Sequence, residues 1–407
     1  MLVPGTLTGS NFDGSLTSAL GPDATATKHA TSRWEDRFYH PELDALRFFA
    51  FLVVFFHHAL PSDASLYTTF GIPAELARWL LLAKHAGAYG VDLFFALSSY
   101  LITELLIREY HHRGSIDIRA FYVRRALRIW PLYFTFLAIT ILIVPHLSPA
   151  DDFNWKYALT FALFVGNWAC VSWGVPFSVA SPLWSVSVEE QFYLTWPLLI
   201  FFCGVRRIPQ IAVVMLVIAF AMRMILAAAS VGDPAVWCNT FARLDPIALG
   251  ALLAYGLGGR APNLNTASRI ALGAGGLLFW LATSKYFSLF GFSSLIAYPA
   301  VALGSVMLLI AALRPEANSL LRRPLSSLVY LGRISYGLYV FHLFALVIMS
   351  QQLFVPVIGL QLGFTSRLII SFFLTVALAA ISYRFLEQPF LRLKRRFTYA
   401  LSISAPS

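Results

Sequence analysis

Two ionisable side chains, Arg47 and His58, stand eleven positions apart inside one apolar run, LDALRFFAFLVVFFHHAL. A charge at the centre of a membrane helix costs roughly 2.5–3.5 kcal/mol on insertion scales, so each such residue requires a reason. At about 100° and 1.5 Å per residue, eleven positions return to within roughly 20° of one face and advance about 16 Å along the axis. His57 points about 100° away. An imidazole is the side chain best suited to take a proton near neutral pH, and a guanidinium offers a fixed cation. Snorkelling of Arg47 and an interfacial resting place for the histidines are the bland alternatives. The shared face over such a length favours chemistry.

Other polar groups sit in comparable places. The run GVDLFFALSSYLITELLI holds Asp92, Ser98 and Ser99. Asp92 reads equally as a solvated helix-terminal charge or a site group, and the serines read first as close-packing positions. FYVRRALRIWPLY puts Arg125 and Arg128 at i and i+3 on one helix face, with Arg124 beside them. Two planar donor forks would clamp phosphate. Anionic headgroups or topology signalling would use the same residues. PLWSVSVEEQFYLTWPLL places Glu189 and Glu190 at the outer entrance of a run, between Trp184 and Tyr193. Paired carboxylates there suit the helix dipole, or one of them orients a base or binds an acceptor hydroxyl. FARLDPIALGALL suggests an internal Arg243–Asp245 pair, SYGLYVFHLFAL puts Tyr339 and His342 on one face near Tyr336, and YRFLEQPF carries Glu387. Cys170, Cys203 and Cys238 lie singly, without paired metal spacing, so no metal is expected.

The elements that must position these groups are membrane helices. Of 407 residues 58% are hydrophobic and 12% charged, about half the charged share of a soluble domain. Apolar runs at 43–60, 88–107, 129–145, 187–204, 210–230, 240–257, 268–284, 293–313, 334–350 and 367–387 are long enough to cross about 30 Å of hydrocarbon. They lack the alternation of an outer-membrane barrel. The expected fold is all-α, a polytopic bundle of about ten transmembrane helices with both termini cytoplasmic. The arginine-rich connections then fall on one side only if a further run, 157–172, is re-entrant or interfacial. Residues 1–37 are polar, lack a signal-peptide core and are expected to form a disordered cytoplasmic tail. Residues 38–396 make the membrane unit and 397–407 a short C-terminal tail. The net charge of +10 sits in short connections. The positive-inside rule accounts for it, so the bilayer rather than nucleic acid is the expected partner.

Six segments in order, LDALRFFAFLVVFFHH, GVDLFFALSSYLI, RRALRIWPLY, LWSVSVEEQFY, SYGLYVFHL and FLEQPF, resemble the acyltransferase-3 family of integral membrane acyltransferases over residues 41–396. The first carries the family's Arg-x10-His as Arg47 and His58. The third carries its Arg-x-x-Arg as Arg125 and Arg128. Where the family usually reads Ser-Gly this chain has Ser98-Ser99, so close helix approach there is expected to differ.

The resemblance implies an enzyme that takes acyl groups, commonly acetyl, from cytoplasmic acyl-CoA. Acyl-CoA is a donor substrate here and not a permanently bound cofactor. The acceptor would be a hydroxyl of an extracytoplasmic carbohydrate or glycolipid, and the location a bacterial inner membrane. His58 would then be the general base, Arg47 would position the donor or neutralise charge near the thioester, and Glu189 would orient His58 or the acceptor. Arg124, Arg125 and Arg128 would hold the nucleotide phosphates. Asp92, Ser98, Trp184, Glu190, Tyr193, Tyr339 and His342 would line the substrate path. Direct transfer is expected, because no Gly-x-Ser-x-Gly elbow is present. A transporter or flippase lined by the same residues is the rival reading.

Overall fold

In hydrocarbon, backbone N–H and C=O groups must find partners within the chain, and the described residues answer with helices and no strands. The computed structural model describes residues 40–69, 71–148, 151–285, 291–313, 326–350 and 363–394. The two expected tails lie outside the described residues.

The principal helices are α1 (Pro41–Ala59), α2 (Ala74–Gly87), α3 (Gly90–Arg113), α4 (Ile118–Leu142), α5 (Trp155–Ala162), α6 (Gly166–Trp173), α7 (Leu183–Cys203), α8 (Ile208–Ala228), α9 (Leu244–Leu257), α10 (Thr266–Ser284), α11 (Ser294–Ala312), α12 (Ser326–Arg333), α13 (Ser335–Ile348), α14 (Phe364–Ser382) and α15 (Gln388–Lys394). Each of the ten apolar runs falls on one of them. Local signals set several ends. Pro41 stands in the first turn of α1, Gly114 closes α3 in the left-handed region at φ 72°, and Asp117 caps α4 by accepting from the Ala120 N–H at 2.9 Å.

Among the described residues five helical stretches are long and apolar enough to cross a membrane, or six if α12 and α13, bent by 73° at their junction, count as one. The protein is therefore multi-pass. Of the ten expected spans, those on α1, α7, α9 and α10 fall outside this set, two of them for visible reasons. α1 carries Glu42, Asp44 and Arg47 in its first turns, and α9 has only 14 residues. The 157–172 run does not cross as one helix. Phe164 takes a φ of 55° and splits it into α5 and α6, each of 8 residues and so about 12 Å long, against the roughly 30 Å needed.

Ser99 does not loosen the bundle. Its hydroxyl donates to the Ile247 carbonyl on α9 at 2.5 Å, and the residue that permits the approach is Gly250 on that partner helix. A Cβ on Gly250 would lie 2.5 Å from the Ala96 carbonyl of α3. The small residue sits on α9 instead of α3, as small-residue packing in membranes allows. Gly250→Val should therefore cost about 1–3 kcal/mol through overpacking. The check is a lowered unfolding temperature in detergent, and an unchanged one would show the crossing to be tolerant.

Candidate active site

A cavity of about 430 Å³ opens between α1, α3, α4, α7, α13 and the start of α15. One face of α3 lines it from Val91 to Leu105, fourteen residues or about 21 Å of helix. Arg47, Arg125, Arg128, Ser98, Glu189 and Tyr193 all reach it. These six come from four helices, which no spacing within one segment could have joined.

The cavity is rich in cations. Arg47 lies 3.4 Å from Asp44 on its own helix. Arg125 stacks over Phe121 and Tyr193, with its guanidinium carbon 5.6 and 5.5 Å from the ring centres. Among the described residues neither Arg125 nor Arg128 has a carboxylate at salt-bridge distance. His40, just before α1, adds to the mouth. Burial works against its charge, but the carboxylates of Glu104 and Glu42 more than offset this and raise its pKa to about 9. The aromatic stacking holds Arg125 in place while leaving its N–H fork able to meet an anion.

Glu189 departs from the expectation. α7 begins at Leu183, so Glu189 sits in the second turn, inside the bundle, and not at an outer entrance. It accepts a short hydrogen bond from Ser98. Gly90 of α3 crosses α1 between Ala50 and Val54, with Ser98 to one side of that crossing and His58 to the other. Their levels differ by about 20 Å along the bundle. Glu189 therefore cannot orient His58.

Four other predicted site residues are engaged elsewhere. Arg124 turns to Glu109 on α3 at 3.1 Å, so of the three neighbouring arginines only Arg125 and Arg128 reach the cavity. Asp92 is buried against Arg243 at 2.8 Å, away from the cavity. The expected Arg243–Asp245 pair does not form, because Arg243 leaves a short turn before α9 towards α3. Asp245, inside the first turn of α9, pairs with Arg223 of α8. The Arg243 guanidinium carbon lies 4.2 Å from the Trp237 ring centre. Trp184 packs at 5.9 Å from Trp237, and Glu190 accepts from the Trp130 indole at 3.1 Å. None of Arg124, Asp92, Trp184 and Glu190 lines the cavity.

His58 and Arg47 do share a stripe of α1, but the cavity does not run the length of it. Phe51, fully buried, fills the stripe between them. Tyr339 of α13 closes the end of the cavity nearest His342. Its hydroxyl bonds Ser185 Oγ at 2.7 Å and the Pro182 carbonyl at 3.1 Å, and its ring lies 5.8 Å from Phe94. Beyond this septum sit His342 and His58, with ring centres 5.0 Å apart. His342 is 5.5 Å from the Tyr339 ring. His57 faces away, its Nδ1 2.9 Å from the Lys84 carbonyl.

The cavity is also lined by Arg333, Tyr336, Tyr383 and Glu387. Arg333 lies 3.9 Å from Asp44. It joins the site through the bend between α12 and α13, for which the sequence offers no signal beyond a basic residue near a helix end. A Cβ on Gly332 beside it would collide with the Asp44 carbonyl, so this contact requires glycine.

Comparison with known proteins agrees with the resemblance read from the motifs. The model of the acyltransferase-3 family, described as an acyltransferase domain, matches residues 40–384. The O-acetyltransferase OatA of Staphylococcus aureus strain NCTC 8325 / PS 47 is 28% identical over 368 residues, covering 86% of this chain and 57% of the relative. The putative O-acetyltransferase SAS0844 of Staphylococcus aureus strain MSSA476 is 26% identical over 375 residues, with the same shares covered. The chain thus spans little more than half the length of these curated relatives. No solved structure matches.

Proposed function

Because this chain belongs to the acyltransferase-3 family, we propose that it carries an acyl group, acetyl in the first instance, from cytoplasmic acyl-CoA to a hydroxyl of an extracytoplasmic carbohydrate or glycolipid. The observation that carries the donor half of this reading is the cavity itself. It has two arginines without carboxylate partners among the described residues towards one end and extends about 21 Å to Tyr339, directly beneath the His58–His342 pair. A long donor with an anionic head and a slender arm fits that shape and charge.

In this reading Arg125 and Arg128 hold the nucleotide phosphates, with Arg47 and His40 adding positive charge. The arm runs along the Ser98 face of α3. The thioester reaches the Tyr339 level, where the septum must shift to admit it. His58 then takes the proton from the acceptor hydroxyl as its oxygen attacks the thioester carbonyl. The new C–O bond forms, the C–S bond breaks, and the departing thiolate is reprotonated. Glu189 tunes the donor cavity, holding Ser98 and balancing the cations around it. The same reading places the protein in a bacterial plasma membrane, with about ten crossings and both ends on the cytoplasmic side.

Purified protein in proteoliposomes containing host glycan extract, supplied with acetyl-CoA, should release free thiol and leave an ester-linked acyl group on the glycan. A transporter would leave the thioester intact, and intact acetyl-CoA throughout would overturn the proposal.

A further inference from the structure

We propose that His342 is a positioning residue that fixes the tautomer and direction of the His58 ring, so that Nε2 is the atom that takes the proton. The inference rests on the reading of His58 as the base that activates the acceptor. Nδ1 of His342 lies 2.5 Å from the backbone carbonyl of Tyr339, one turn earlier on α13. A carbonyl oxygen can only accept, so this nitrogen carries the hydrogen. His342 is buried at 0% exposure. In its neutral ring the other nitrogen, Nε2, then has a lone pair and no hydrogen.

That lone pair faces Nδ1 of His58 at 3.3 Å. The same Nδ1 lies 3.0 Å from the Val54 carbonyl on its own helix. Two acceptors converge on one nitrogen, so it is a donor and its hydrogen is shared between them. The free lone pair of His58 therefore sits on Nε2, which has no hydrogen-bond partner among the described residues, on a side chain that is exposed.

Val54 alone would not achieve this. An acceptor one turn back on the same helix leaves the ring free to rotate away. His342 supplies an acceptor from a second helix, and rotation of the His58 ring would set a C–H against its lone pair. The same lone pair also stabilises the hydrogen on Nδ1 once Nε2 has gained a proton. His342 is itself held rigid, edge-on to Phe51 at 6.4 Å and tilted against Tyr339 at 5.5 Å. This is the support that a catalytic imidazole receives from an orienting partner elsewhere, here supplied by a neutral group.

The test compares His342→Gln, His342→Asn and His342→Phe in the proteoliposome assay, reading thiol release from acetyl-CoA. Gln can place an amide oxygen near the Nε2 position. Asn reaches only the Nδ1 position, and Phe keeps the shape without an acceptor. Phe and Asn should lower kcat about 100-fold while the KM for acetyl-CoA stays within about twofold, because Arg125 and Arg128 are untouched. Gln should recover most of the loss. The Gln and Asn variants differ by one methylene and share their polarity, so a folding defect would strike both and raise KM as well. Wild-type kcat in the Phe or Asn variant, or Gln no better than Asn, overturns the assignment. Wild-type protein that releases no thiol would instead overturn the acyl-transfer reading on which it stands.

Discussion

His58→Ala is expected to insert and accumulate like the wild type yet transfer no acyl group, a loss of about 10²–10⁴-fold or more in kcat. Among the described residues its hydrogen bonds reach only the Val54 carbonyl and His342, and the side chain is exposed. Its removal opens no sealed cavity, so the stability cost should be small while the proton acceptor is lost. His57→Ala is the natural control. Its Nδ1 is committed to the Lys84 carbonyl, so it should disturb the docking of α2 on α1 more than the chemistry. Abundance by immunoblot and transfer by mass spectrometry of surface glycans separate the two effects. Retained transfer in the His58 variant would remove it as the base.

The double variant Arg125→Ala/Arg128→Ala should raise the KM for acyl-CoA by two orders of magnitude or more, with a much smaller change in acceptor dependence. Hydrogen bonds to charged groups contribute about 1.5–3 kcal/mol each, which is roughly 10- to 100-fold per arginine. Because neither guanidinium has a carboxylate partner among the described residues, their loss leaves no buried acid exposed to a low dielectric. Arg124→Ala provides the contrast. It would strand Glu109, and a buried charge without its partner is costly, so that variant should lose stability and leave KM for the donor near normal. Equal KM effects from Arg124 and from the Arg125/Arg128 pair would argue against a clamp.

Much of this arrangement was legible in the residues. Apolar runs of membrane length located each of the five or six described stretches able to cross, because hydrocarbon leaves a chain few other ways to satisfy its backbone, though ten were expected. The helical period put Arg47 and His58 on one stripe and Arg125 and Arg128 on one face, since i, i+3 and i+11 are geometric consequences of about 3.6 residues per turn. The family itself could be read from six motifs in order.

The pairings could not be read this way. Local spacing suggested Arg243 with Asp245, whereas packing gave Arg243 to Asp92, which is 151 positions distant in the chain, and gave Asp245 to Arg223. Arg124 looked equivalent to its neighbours until α3 presented Glu109 to it. The septum of Phe51 and Tyr339 between the arginine-lined cavity and His58 was equally hidden, since an apolar residue on a polar stripe carries no mark of what it blocks.

The sequence by itself determined that this is a multi-pass helical member of the acyltransferase-3 family with ionisable groups inside its apolar runs, because burying charge in a bilayer is costly enough to leave a pattern in any single helix. Only the tertiary structure decided which of those groups meet. Partnership depends on how helices distant in the chain are levelled and rotated against one another, and that is fixed by contacts such as Gly250 on Ala96 and Gly90 on Ala50, which no one-dimensional period encodes.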